Sequence, residues 1–271
     1  MRKDVAFARQ EHRLSERRAC KLLSVERSSY RYEPRPDRNA ELRAALVELA
    51  RKKTQYGYRM LQDLLERQGH PASPMRIYRL YREERLMLRR LKRKRIARVP
   101  VTSKVVRRNQ EWAMDFVSDT LATGRGIRLL AVVDVHTREC LSLEVDTSMS
   151  GQRVARCLEA VIERRGKPEA LRCDNGPEFT SRHIMGWCEE KQIQLIHIQP
   201  GKPMQNGHVE SFNGRLRAEC LNANWFRNLI DAKAKINAWR EEYNGERPHS
   251  SLGHRTPNEF AAILESSVMS G

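Results

Sequence analysis

Residues 171–180 read LRCDNGPEFT. An apolar-leaning run from Glu169 to Cys173 stops on Asp174, and Asn175-Gly176-Pro177 follows at once. These are the commonest turn formers, so a plain turn would explain the composition. A strand that ends on a carboxylate has a second meaning, because ligand sites of parallel sheets open at the carboxyl ends of their strands. The flanking sequence decides which meaning applies.

Upstream lie three strand-like runs, WAMDFVSD (112–119), IRLLAVVDVHT (127–137) and CLSLEVDTS (140–148), separated by Gly-rich or charged turns. A helical pattern over about 151–165 precedes the strand that ends at Asp174. A second helix over about 181–191 leads to QLIHIQP (194–200), a fifth strand, and QNGHVESFNGRLRAECLN (205–222) reads as one long helix. Antiparallel strands followed by alternating helix and strand is an α/β layer pattern, predicting a mixed five-stranded sheet flanked by helices over 109–227. Residues 228–243 (NLIDAKAKINAWREEY) predict one more amphipathic helix, which with a turn-rich tail makes 228–271 a C-terminal segment packed on the core.

The front of the chain is different in kind. The formal net charge is +17, and residues 1–110 carry 31 Lys and Arg against 12 Asp and Glu, while the remainder carries 20 against 22. Such asymmetry points to a nucleic-acid-binding half joined to a nearly neutral half. In 1–50, Leu14, Ala19, Leu22 and Leu23 recur at helical spacing and a break near Val25 precedes a second short segment, a helix-turn-helix-like pattern. Residues 51–98 repeat it: Met60, Leu61, Leu64 and Leu65 mark one helix face, Ser73 offers an N-cap and Pro74 fits the first helical position. The second helix would bury Ile77, Leu80 and Tyr81 and turn Arg76, Arg79 and Arg82 outward, toward a major groove or toward solvent. The run RRLKRKR (89–95), with Arg90, Lys92, Arg93, Lys94 and Arg95, opens a basic stretch whose 99–108 portion reads as a linker tracking phosphates.

Six cysteines form no CxxC pair and no metal-spaced set with histidine, so they read as reduced thiols in a cytoplasmic protein. No apolar run approaches the roughly 20 residues that span a bilayer.

Enzymes that cut or join phosphodiesters often hold two divalent metals with a few carboxylates. Asp115 lies between apolar neighbours in the first strand, a costly place for a carboxylate that is neither paired nor metal-bound. Asp174 ends the fourth strand. On the 205–222 helix, Val209, Phe212, Leu216 and Cys220 form a stripe toward the sheet, and Asn206, Glu210, Asn213 and Arg217 share the adjacent polar face. Between Asp174 and Glu210 lie 35 residues. That spacing resembles the DD(35)E signature of retroviral integrases and insertion-sequence transposases, and Arg217, seven residues after the Glu, fits the same pattern. A triplet of acids alone is weak; the words around it are more specific. W-x-x-D-F, CDNGPEF, P-x-x-QNGHVESFNGRLRAECLN and YNGERPHSSLGHRTPNEF together resemble the second-frame (OrfB) transposase of the insertion sequence 3 family over residues 13–262 or so.

The resemblance implies a ribonuclease-H-like core in which Asp115, Asp174 and Glu210 hold two Mg2+ ions, with Mn2+ as a substitute. It implies nicking of double-stranded DNA at the element's terminal inverted repeats and attack by the exposed 3′-OH on the other element end and eventually on target DNA, without a covalent protein intermediate. It implies a homo-oligomer on synapsed ends, in a bacterial cytoplasm and associated with the nucleoid. Family members also make a frameshift fusion with an upstream-frame protein. This chain starts with Met and has no heptad segment, so it reads as the downstream product. No His2Cys2 zinc module precedes the core, which favours transposase over integrase.

Among the neighbours, Asp119 reads as a turn acid, Asp134 as a hydrogen-bonded or supporting group, Glu178 as turn packing, His183 and His208 as structural or solvated, and Trp112 as core. Lys202, Gln205 and Asn206 precede a helix N-terminus that can receive phosphate. Arg247-Pro248-His249 either grips DNA or docks the last helix. The competing functions are a ligand-sensing transcriptional regulator, which needs no acid triplet, and a nuclease on the same core, which needs no basic helical front.

Overall fold

The computed structural model describes residues 1–33, 37–88, 105–198 and 207–269. Two compact units divide the chain, Met1–Ala44 and Ala45–Gly271. In the first, α1 (Arg2–Glu11), α2 (Glu16–Leu22) and α3 (Arg27–Arg31) enclose Val5, Ala8, Ala19 and Cys20. Ser15 caps α2 by accepting from the Arg18 N–H, and Glu16 accepts from both Arg27 and Arg31. Leu22, expected on the buried stripe, is 69% exposed; Cys20 takes its place, because the face of α2 that packs is the one that meets Val5 and Ala8 of the unanticipated α1.

Helix α4 spans Ala40–Lys52, and α5 (Tyr58–Arg67) and α6 (Pro74–Glu83) form the second helical pair. Leu61, Leu64 and Leu65 of α5 and Ile77, Leu80 and Tyr81 of α6 are buried, as the 3.6-residue period requires. Ser73 caps α6 and Pro74 occupies its first turn. A buried side chain of this kind is worth about 1.5–3 kcal/mol, so these six residues dominate whatever the exposed arginines do to the pair.

The sheet has the order β3-β2-β1-β4-β5, from β1 (Glu111–Thr120), β2 (Gly126–Asp134), β3 (Cys140–Asp146), β4 (Ala170–Cys173) and β5 (Gln194–His197). β1 to β3 run antiparallel, and β4 and β5 join parallel to β1, each after a crossover helix, α7 (Gly151–Arg165) and α8 (Arg182–Glu190). This is the mixed sheet that the pattern predicts. Alternation sorts its side chains into two cores. Trp112, Met114, Leu130, Val132, Leu171 and Cys173 pack with α7 and α8. Ala113, Val117, Leu129, Ala131 and Val133 pack with α9 (Gly207–Leu216) and α10 (Leu229–Gly245). Arg172, also on the α9 side, donates twice to Glu111 across the β1–β4 pair, at 2.7 Å each.

Two features depart from the sequence reading. The expected long helix ends at Leu216 and continues as a π-helix, Arg217–Leu221. The tail is not all turn: after a 3-10 turn at Ser250–Leu252 it forms α11 (Pro257–Met269), with Ala261 buried. All six cysteines are unpaired. Among the described residues no helix is long and apolar enough to cross a membrane.

Candidate active site

The parallel register of β1 and β4 sets the site. Ala113 is opposite Arg172, so two residues further along each strand Asp115 and Asp174 stand level, one strand spacing apart, about 4.8 Å between backbones. Alternation puts both on the side facing α9: Ala113 and Val117 flank Asp115 there, and Arg172 precedes Asp174 on that side. Glu210 lies exposed in the first turn of α9. One turn later Asn213 donates through Nδ2 to Asp115 Oδ2 at 2.8 Å, across 98 residues of sequence.

Asp115 is therefore held between like charges. Burial pushes its carboxyl up to about 6, and the carboxylates of Asp174 and Glu210 push in the same direction; the Phe116 N–H and the Asn213 amide pull it down. Asn213 Oδ1 is buried beside it without a hydrogen-bond partner, an oxygen donor left over. Among the described residues no three His, Cys, Asp or Glu side chains are gathered closely enough to hold a metal ion as they stand.

Asp174 shapes its own turn. Its Oδ1 accepts the Gly176 N–H at 2.9 Å, and the Asn175 side chain donates to the Ile198 carbonyl, tying the turn to the end of β5. Gly176 is needed for space, since a Cβ there would lie 3.0 Å from Asp174 Oδ1. Beneath the turn the buried Phe179 ring stacks on Phe116 at 4.8 Å, and Arg128 covers Phe116 while pairing with Glu178. That ion pair holds the Glu178 carboxyl below its usual range.

The other expected residues separate cleanly. Asp134 is wholly buried and accepts from three backbone N–H groups, of Asn109, His136 and Thr137. Asp119 lies within β1, near its end, and accepts from the Thr120 N–H. Trp112 is core, its Nε1–H donating to Asn109. His183 is exposed on α8. Arg217 donates to the Ser118 carbonyl at 3.0 Å, bridging the start of the π-helix to β1. Arg247, Pro248 and His249 are buried; Arg247 makes a bidentate pair with Glu219 and lies over the Tyr56 ring, so this segment docks rather than grips. On α6, Arg79 and Arg82 are exposed and Arg76 half-buried; Arg79 pairs loosely with Glu83, and Arg82 lies over Tyr78. Arg90, Lys92, Arg93, Lys94, Arg95, Lys202, Gln205 and Asn206 lie outside the described residues. Asn213, read from sequence as a DNA contact, donates to Asp115, a pairing signalled only by its place one helical turn after Glu210.

Comparison with known proteins agrees with this architecture. The family description "Integrase core domain" matches residues 106–203 and, in a second form, 191–257; "HTH-like domain" matches 36–95. The chain is 46% identical over 257 residues to the "Insertion element IS407 uncharacterized 31.7 kDa protein" of Burkholderia multivorans, covering 94% of this chain and 93% of that one. It is 25% identical over 258 residues to the "Putative transposase InsK for insertion sequence element IS150" of Escherichia coli strain K12, covering 89% and 91%. A chain of the simian T-cell lymphotropic virus intasome, solved by cryo-EM with PP2A regulatory subunit B56 gamma, shares the fold at 17% identity and a TM-score of 0.53, over 80% of this chain and 74% of that one. With an HTH-like region ahead of an integrase core of ribonuclease-H-like fold, the chain belongs to the insertion sequence 3 family of transposases.

Proposed function

We propose that the chain cleaves the 3′ ends of its insertion element and joins them to target DNA, with Asp115, Asp174 and Glu210 as ligands of two Mg2+ ions. The observation that carries this reading is the level placement of Asp115 and Asp174 on adjacent strands facing the helix that bears Glu210, with burial and then the charges of Asp174 and Glu210 raising the Asp115 carboxyl. Three carboxylates and a spare amide oxygen form an all-oxygen donor set, the kind magnesium takes and zinc or copper does not favour. A cation would relieve the repulsion between Asp115 and the two acids that face it.

The bound ions would supply an activated oxygen nucleophile and stabilise the leaving oxygen of an in-line displacement. The residues themselves do the positioning. The Asn213 amide holds Asp115 Oδ2 and the Phe116 N–H holds Oδ1, which together fix the orientation of the carboxylate. The Gly176 N–H and the Asn175 amide hold the Asp174 turn against β5. Arg217, bound to the Ser118 carbonyl beside the cleft, faces solvent with donors to spare for a phosphate. Arg76, Arg79 and Arg82 on α6 would contact the terminal repeats, and Arg90, Lys92, Arg93, Lys94, Arg95, Lys202, Gln205 and Asn206 are further DNA contacts expected from the sequence. Two ends must be brought together, so the working form is an oligomer of this chain on DNA, with or without an upstream-frame partner.

The Asp174→Asn variant tests the reading directly. Magnesium-dependent cleavage and joining of element-end duplex should fall about a thousandfold or more, with duplex binding retained; wild-type rates in this variant would overturn it.

A further inference from the structure

Beyond Asp115, β1 runs on past two other features of the same side of the sheet. Arg217 is tied to the Ser118 carbonyl, and the Phe226 carbonyl accepts the Ala122 N–H at 2.7 Å, just past the end of the strand. At about 3.4 Å per residue, Ser118 stands about 10 Å from Asp115 and the strand's end at Thr120 about 17 Å. The Phe226 ring is buried with Val117 and Leu121, in the core that α9 and α10 share with β1. Its neighbour Trp225 is turned out to solvent and is 74% exposed, whereas Trp112 and Trp239 are buried.

The backbone that carries this exposed ring is fixed. The Trp225 carbonyl accepts from Lys235 Nζ at 2.8 Å, and the Arg227 N–H donates to Asp231 at 3.0 Å. Asn228 then caps α10 by accepting the Asp231 N–H at 2.9 Å. An indole held out on pinned backbone offers a flat apolar surface with little ordering left to do on contact. Its surroundings say what it would meet. Residues 217–235 carry Arg217, Arg227, Lys233 and Lys235 against two acids, and both acids are engaged, Glu219 by Arg247 and Asp231 by Lys235. A subunit interface centres on apolar surface depleted of charge. An exposed aromatic ring among cations instead fits the way single-stranded nucleic acid is held, with bases on rings and phosphates on cations.

We infer that Trp225 is a stacking platform for an unpaired base of the DNA strand that runs along β1 from the catalytic carboxylates. The inference rests on the proposed function, which places the scissile phosphate at Asp115. A paired base inside a duplex has both ring faces covered, so the platform takes a base at a strand end or in a locally opened stretch. At about 3.4 Å of rise per nucleotide, that base lies roughly six positions from the scissile phosphate. Arg217, between the two, takes a phosphate of the same strand.

The test is a titration of the full chain with a thymidine oligonucleotide of roughly ten nucleotides, read by tryptophan fluorescence and by anisotropy. Salt of about 0.2 M weakens binding to phosphates alone by the basic front. With Trp112 and Trp239 buried and Trp187 half-buried, quenching should come from Trp225. It should be strong in wild type and absent in Trp225→Phe, whose ring should keep the affinity within about threefold. Trp225→Ala should bind about ten- to a hundredfold more weakly, with an unchanged thermal midpoint because the side chain lies mostly in solvent. Wild-type affinity in Trp225→Ala, or quenching that persists in Trp225→Phe, would overturn the inference. Wild-type affinity together with loss of a dimer in sedimentation of Trp225→Ala would make the ring a contact between copies and also overturn it. If wild type fails to cleave element-end duplex with magnesium, the proposed function falls and takes this platform with it; if it cleaves while Trp225→Ala keeps the oligonucleotide, only the platform falls.

Discussion

Asp115 and Asp134 are carboxylates on neighbouring strands of one sheet, yet their surroundings differ in kind. Asp134 is sealed from solvent and surrounded by three backbone N–H donors at 2.9 Å, two from the β2–β3 turn and one from Asn109 just ahead of β1. Asp115 has its neighbour's N–H, one amide and two facing acids. The first is a carboxylate satisfied by its fold; the second is one that its fold leaves needing a cation. Burial alone would have ranked Asp134 as the stranger residue. Satisfaction, not burial, separates a structural acid from one available for chemistry.

The strongest way to break this contrast is a matched pair of substitutions. Asp115→Asn should remove about three orders of magnitude of end cleavage while leaving the thermal midpoint level or higher. Asp134→Ala should do the reverse: with three N–H groups left unpartnered it should cost about 3 kcal/mol, or roughly 10 °C, and alter activity only through loss of folded protein. Calorimetry and a cleavage assay on both proteins check it, and equal loss of stability in the two would dissolve the distinction.

A gentler probe uses proton linkage. The Asp115 carboxyl is raised to about 6 from an ordinary 3.8, so the folded chain binds that proton more tightly than the unfolded one. Its stabilising contribution is full below about pH 4 and is lost as pH rises through 6. Without divalent metal, midpoints should fall over that window in wild type and stay flatter in Asp115→Asn. Magnesium at pH 7 should raise the wild-type midpoint more than the variant's. The smallest effect is expected from Gly176→Ala, where φ is unstrained and only the 3.0 Å approach to Asp174 is disturbed. Cleavage should slow several-fold with stability changed by less than about 1 kcal/mol.

Much of the fold and of the candidate site was legible in the sequence. The five strands announced themselves through apolar runs that end at Gly, Asn or charged turns, and the 35-residue interval from Asp174 to Glu210 singled out those two acids. What stayed hidden depends on long-range pairing. Beyond its place one helical turn after Glu210, nothing near Asn213 says that its amide meets Asp115, 98 positions away. Helix α1 escaped because its buried face is only Val5 and Ala8 among charged residues. Helix α11 was masked by the turn formers of PHSSLGHRTP just before it. Leu22 misled because period alone does not say which side of a short helix finds a partner.

The paired hydrogen bonds from Arg172 to Glu111 have a consequence beyond their own energy. They sit on the same pair of strands as Asp115 and Asp174, a few residues upstream of both, and act as an indexing pin for the whole assembly. Were β4 to slide by one residue along β1, every side chain of β4 would swap faces and Asp174 would point toward α7 and α8, away from Glu210. Two acids 59 positions apart in the chain are kept abreast by a guanidinium that never touches either.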